Sequence, residues 1–134
     1  MKNIISTFLL AISMMTAATT ISDNVAVTEN EPKYLTTDSF NKAINTGIVV
    51  VEFVASFAEP FGDWQQIKDG EYYRVDIEKY PDLQKKYRIR TVPTIIVFNN
   101  GSKELTYKAN IMFELEVTAE EIHEDIEDLL SDKF

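Results

Sequence analysis

An acid interrupts the most apolar stretch of this chain: Glu52 sits inside Ile48-Val49-Val50-Val51-Glu52-Phe53-Val54. A carboxylate in a buried strand is unfavourable unless paired or protonated, and a carboxyl group perturbed in that way is a candidate for proton transfer. Such chemistry needs a second group, and the other reactive side chains do not supply one by spacing. The sequence has no cysteine, so thiolate nucleophiles and disulfides are excluded. Its single histidine, His123, falls on the polar side of a C-terminal helical pattern with no second histidine for a metal cluster, and reads as a solvated surface residue. Ser56 lies in no G-x-S-x-G elbow and has no reason to meet that histidine. Glycine-rich phosphate loops are absent. Asn100-Gly101-Ser102 satisfies a glycosylation pattern, but hairpin-turn chemistry explains it. No metal and no cofactor are expected.

The elements that position these residues follow from periodicity. Ile48 to Val54 has the pattern of a central strand covered on both faces. Before it, Thr36-Thr37-Asp38-Ser39 reads as a helix start, with Phe40, Ala43 and Ile44 as the buried stripe and an end near Gly47. After it, Tyr72 to Ile77 makes a second strand, and Pro81 opens a helix with Leu83 and Tyr87 on one face. Thr94 to Phe98 is a third strand, joined by the turn Asn99-Asn100-Gly101-Ser102 to an antiparallel partner, Lys103 to Lys108. Thr118 and Glu121 form a capping-box pattern, and Ile122, Ile126, Leu129 and Leu130 follow at helical spacing. The order predicts an α/β sandwich with parallel strands first and an antiparallel hairpin last.

A chain of 134 residues with 45% hydrophobic content can bury one core and leaves little room for a second domain. Lys2, the apolar stretch from Ile4 to Met15 and the small residues Thr16, Ala17 and Ala18 resemble a cleaved export signal, residues 1–18. The stretch is shorter than the roughly 20 apolar residues of a membrane span, so no anchor is expected after cleavage. Residues 19–32 are polar and acidic and read as a flexible tether to a domain at 33–134. The formal charge is −9, and loss of Lys2 takes it from −9 to −10. Nucleic acid is a poor partner for such a surface. The acids that accumulate from Glu114 to Asp128 read as a solvated helix face.

The run Val50-Val51-Glu52-Phe53-Val54-Ala55-Ser56-Phe57-Ala58-Glu59-Pro60-Phe61 resembles the active-site strand and loop of the thioredoxin family, V-D-F-W-A-x-W-C-G-P-C. Ala58 and Phe61 stand at the two cysteine positions, with Glu59 and Pro60 between them. Leu35-Thr36-Thr37-Asp38-Ser39-Phe40 is similar to the family's L-T-x-x-S-F, and Arg74-Val75-Asp76-Ile77-Glu78 to its K-x-N-x-D. Lys86-Tyr87-Arg88-Ile89-Arg90-Thr91-Val92-Pro93-Thr94 is similar to Y-G-I-R-G-I-P-T, and Phe98-Asn99-Asn100-Gly101 to F-K-N-G. Together they cover Tyr34 to Leu130 in the right order. The resemblance implies a thioredoxin-like three-layer sandwich, a mixed central sheet flanked by helices. It also implies a cis Val92–Pro93 bond beside the loop, lining a groove for an extended segment. Glu52 takes the place of a buried proton-accepting aspartate, and Arg74 that of a lysine near it.

The departures bear on function. Two family tryptophans are replaced by Val54 and Phe57, and the stretch from Phe61 to Glu71 leaves room for at most two helical turns, carrying Trp64 and Ile67. Without thiols, the expectation is a redox-inactive exported module that binds a protein or peptide segment. Its candidate groove gathers Phe57, Phe61 and Trp64 against Val92-Pro93, aromatic anchors of the kind found in binding hot spots, with core filling as the alternative. Asn110-Ile111-Met112-Phe113 covers either the sheet edge or a partner, with core packing expected for at least one of the four. Glu52 reads as a relic held by Arg74 or water, so that Glu52→Gln or Glu52→Leu leaves the fold intact or more stable. A cysteine-independent enzyme around Glu52 and a structural subunit of an exported assembly are the alternatives.

Overall fold

Strand β2, Ile48–Val54, organises the molecule. In the computed structural model, which describes residues 31–131, Val49, Val50, Val51 and Phe53 are wholly buried, as a doubly covered strand requires. The leader expected at 1–18 and the tether up to residue 30 lie outside the described residues. The elements run β1 (Lys33–Tyr34), α1 (Thr37–Ile44), β2, a 3-10 turn (Trp64–Gln66), β3 (Glu71–Asp76), α2 (Pro81–Lys86), β4 (Thr94–Asn99), β5 (Ser102–Lys108) and α3 (Ala119–Ser131). They build one sheet of order β1-β3-β2-β4-β5, in which β1, β3 and β2 are parallel and β4 is antiparallel to both its neighbours, β2 and β5. The two-residue β1, too short to show a period, was not legible in the sequence.

Alternation along β2 divides the core in two. Val49, Val51 and Phe53 pack with Phe40 and Ile44 of α1 and Leu83 of α2, where Phe40 meets Phe98 edge-on at 5.8 Å between ring centroids. Val50 shares the other face with Ile95 and Val97 of β4 and with Ile122 and Ile126 of α3. Glu52 follows Val50 on that second face. Of the predicted α3 stripe, Leu129 packs against the core but Leu130, near the helix end, is 39% exposed.

Local chemistry fixes the ends of the elements. Thr36 caps α1 through its hydroxyl to the Ser39 N–H while Ser39 accepts from the Thr36 N–H, and Thr118 and Glu121 do the same for α3. At the β4–β5 turn, Asn100 and Gly101 have φ of 51° and 89°, the paired left-handed residues of a type I′ hairpin. Gly101 N–H then donates to the Ile44 carbonyl at the end of α1.

The helical turns expected after Phe61 shrink to the single 3-10 turn. Lys68-Asp69-Gly70 must return the chain to β3, and a Cβ on Gly70 would lie 2.6 Å from the Ile48 carbonyl oxygen. Among the described residues no helix is long and apolar enough to cross a membrane.

Candidate functional site

The parallel register sets Glu52 beside Arg74, with Tyr72 two residues earlier on the same face of β3. Glu52 has no exposed surface. Its Oε1 accepts from the Arg74 Nε and the Tyr72 hydroxyl, each at 2.8 Å, and its Oε2 accepts from the Phe61 backbone N–H at 2.6 Å. The Arg74 Nη2 donates to the Phe61 carbonyl at 2.9 Å. Both backbone groups of Phe61 are therefore held by one buried ion pair. Burial, then the charge of Glu52, pushes the Tyr72 phenol far above its usual range, keeping it a neutral donor. Burial opposes the charge on Arg74, but its hydrogen bond to Glu52 and that residue's charge outweigh this and raise its pKa.

Arg74 meets Glu52 as the resemblance implied. What the sequence did not disclose is the third partner, Tyr72, and the target, the Phe61 backbone. With both oxygens engaged, Glu52 serves as an anchor for the loop at the former second cysteine position. The other end of the loop is tied by the Ser56 N–H, which donates to Glu78 Oε1 at 2.9 Å. That backbone hydrogen bond, followed by the Ser56 side chain, lowers the Glu78 pKa.

Between these ties, Ala58 is half-buried against the α1 side of the core, and Glu59 and Pro60 are exposed. A cavity of about 300 Å³ opens beside them, walled by Glu59 to Asp63, by Pro93 after its cis bond to Val92, and by Phe113 to Leu115. The proposed groove residues separate here. The buried Pro93 and Phe61, half-buried against the core beneath α3, line the cavity, whereas Val92, 2% exposed, does not. Trp64 turns inward, its ring centroid 5.4 Å from that of Tyr72, and packs on the core beneath α3. The lost helix leaves volume there that an indole fills. Phe57, 59% exposed, flanks the cavity through an edge contact with Phe113 at 5.4 Å.

Phe113 belongs to the 110–113 segment singled out in the sequence, and Leu115 is an addition from the structure. Asn110 braces the segment, its Oδ1 accepting from the Met112 and Glu114 N–H groups. Ile111 and Met112 project outward, 89% and 68% exposed, so this segment does not serve as core.

His123 does not stand alone in solvent. Its Nδ1 is buried 3.7 Å from Asp69 Oδ2, and its Nε2 lies 3.2 Å from Glu127 Oε2. The two acids face opposite ring nitrogens, and among the described residues Nδ1 has no hydrogen-bond partner. Sequence spacing could show Glu127, one turn on, but not Asp69.

The thioredoxin family model matches residues 31–124. Thioredoxin-2 of Pyricularia oryzae is 29% identical over 63 residues, spanning 41% of this chain and only 37% of that protein. A mutant thioredoxin from Halobacterium salinarum NRC-1 superposes with a TM-score of 0.62 at 18% identity, over 74% of this chain and 90% of the other. A mutant thioredoxin of Entamoeba histolytica gives 0.57 at 13% identity, over 73% and 99%. At these identities the solved structures show the fold alone. From the family match over most of its length, this chain belongs to the thioredoxin family, as a member without any cysteine.

Proposed function

We propose that this protein is an exported, redox-inactive binding module that holds an apolar segment of another protein in the groove between the degenerate loop and Pro93. The observation that carries this reading is the wall formed by Phe61, anchored through its own backbone by Glu52 and Arg74 and facing Pro93, Phe113 and Leu115. An anchored wall favours binding because little of it must be ordered when a segment arrives. The exposed Phe57 and Phe113 extend the apolar surface beyond the cavity. Occupation of both Glu52 oxygens weighs against proton transfer there. The leader-like pattern at 1–18 supports export.

A displayed library of random peptides tests the reading, selected in parallel on the wild type and on a Phe57→Asp, Phe113→Asp variant of matching circular dichroism. The expected result is a set of apolar peptides with saturable binding to the wild type and at least about tenfold weaker binding to the variant, the equivalent of one lost anchor. Equal binding to both proteins would overturn the proposal.

A further inference from the structure

Strand β5 changes register partway along. Lys108 to Leu105 pair one for one with Thr94 to Val97, but the next pair sets Lys103 against Phe98, leaving Glu104 as the extra residue of a β-bulge. An uninterrupted register would put Glu104 opposite Phe98, on the same face as Thr106 and Lys108, and send Lys103 to the α3 side. The bulge exchanges an acid for a base. Lys103, Thr106 and Lys108 then share one side of a cavity of about 310 Å³, floored by Ile96, and the end of α2 closes the other side with Lys86 and Arg88.

Arg88 is a second departure from a local rule. Its φ is 54°, a left-handed conformation that is strained for a side chain and that glycine adopts freely. The family's Y-G-I-R motif has glycine at this position. Four cations thus line one concavity that has no acidic residue in its lining, and among the described residues none of the four makes an ion pair. They do so in a chain with 22 acids against 13 Lys and Arg. The dipole of α2 accounts for a cation at its last turn, Lys86, but not for Lys103 and Lys108 arriving from β5.

We propose that this concavity binds a compact polyanion, a small molecule carrying two or more phosphate or sulfate groups, with Arg88 and Lys103 as its main contacts. A guanidinium engages an oxyanion through two hydrogen bonds at once, and a multiply charged ligand relieves the repulsion among four convergent cations. Convergence on a hollow from two elements suits a compact ligand better than an extended chain. The site shares no lining residue with the groove beside Pro93 and is independent of its role.

Calorimetric titration of the full chain with tripolyphosphate and, separately, with a fully sulfated disaccharide tests this and distinguishes phosphate from sulfate. One saturable site for at least one probe is expected, weakened severalfold when salt rises from about 0.05 to about 0.5 M. Arg88→Gly should bind about tenfold more weakly, the loss of one charge-assisted contact, while melting at the same or a higher temperature because glycine relieves the backbone. Lys103→Ala should weaken binding similarly, and Lys68→Ala, outside the cavity, should not. Absence of saturable binding by both probes, or wild-type affinity in Arg88→Gly and Lys103→Ala, would sink the proposal. Tighter binding of a glutamate-rich decapeptide than of either probe would also overturn it, making the site a protein-docking surface.

Discussion

Glu52 accepts three hydrogen bonds where water does not reach, so its removal orphans Arg74, the Tyr72 hydroxyl and the Phe61 N–H together. That geometry reverses the tolerance expected from the sequence. Breaking a buried pair on one side is destabilising by about 3–5 kcal/mol, whereas replacing all partners with apolar groups can be near neutral. Urea denaturation should show Glu52→Leu losing stability in that range, with Glu52→Leu, Tyr72→Phe, Arg74→Met recovering at least half. A Glu52→Leu protein as stable as the wild type would remove the anchoring role. Glu78 gives a pH-dependent counterpart at the other end of the loop. Its folded pKa is depressed, so its contribution is present above the unfolded value of about 4.3 and lost as pH falls through the lower folded value. Amide exchange at Ser56, corrected for intrinsic rates, should lose protection as pH falls below the ordinary carboxylate range in the wild type and lack it throughout in Glu78→Ala. Equal protection of Ser56 in the wild type and in Glu78→Ala at neutral pH would exclude the tie.

The decisive change among the elements is the 3-10 turn Trp64–Gln66 where the family has a long helix. In a working enzyme the N-terminus of that helix lowers the nucleophile's pKa, and here no helix starts at the loop. The Phe61 N–H is moreover committed to Glu52. Ala58→Cys with Phe61→Cys should therefore leave a thiol near about 8.5 rather than about 7, with ~3% instead of ~50% thiolate at neutral pH. Disulfide reduction by this variant, followed as insulin turbidity, should stay more than about tenfold below an ordinary thioredoxin. Activity equal to that enzyme would show that the shortened segment still supplies the activation. Elements whose signals are local were readable in advance: the helix start at Thr36, the capping box of α3, the Asn100-Gly101 turn and the α3 stripe as far as Leu129 rest on residues a few positions apart. The bulge at Glu104 was not, because a register shift depends on the partner strand.

Across the whole molecule, two concavities differ in chemistry. The groove beside the degenerate loop mixes apolar residues with Glu59, Asp63 and Glu114, and four cations occupy the end of α2 and β5, in a chain of formal charge −9. The Ile48–Val54 run, the strand and helix order, the missing cysteines and the Pro93 motif placed the chain in its fold and removed its thiol chemistry, because each rests on residue type or near-neighbour spacing. Three-dimensional packing decided how the candidate residues are used. It turned Trp64 inward and left Phe57 outside, and it delivered Glu52 to the Phe61 backbone and Asp69 to His123. It also brought Arg88 and Lys103 to one hollow. These contacts join positions distant in the chain, and their partners are chosen by strand register and by the volume a lost helix leaves to be filled, neither of which periodicity encodes.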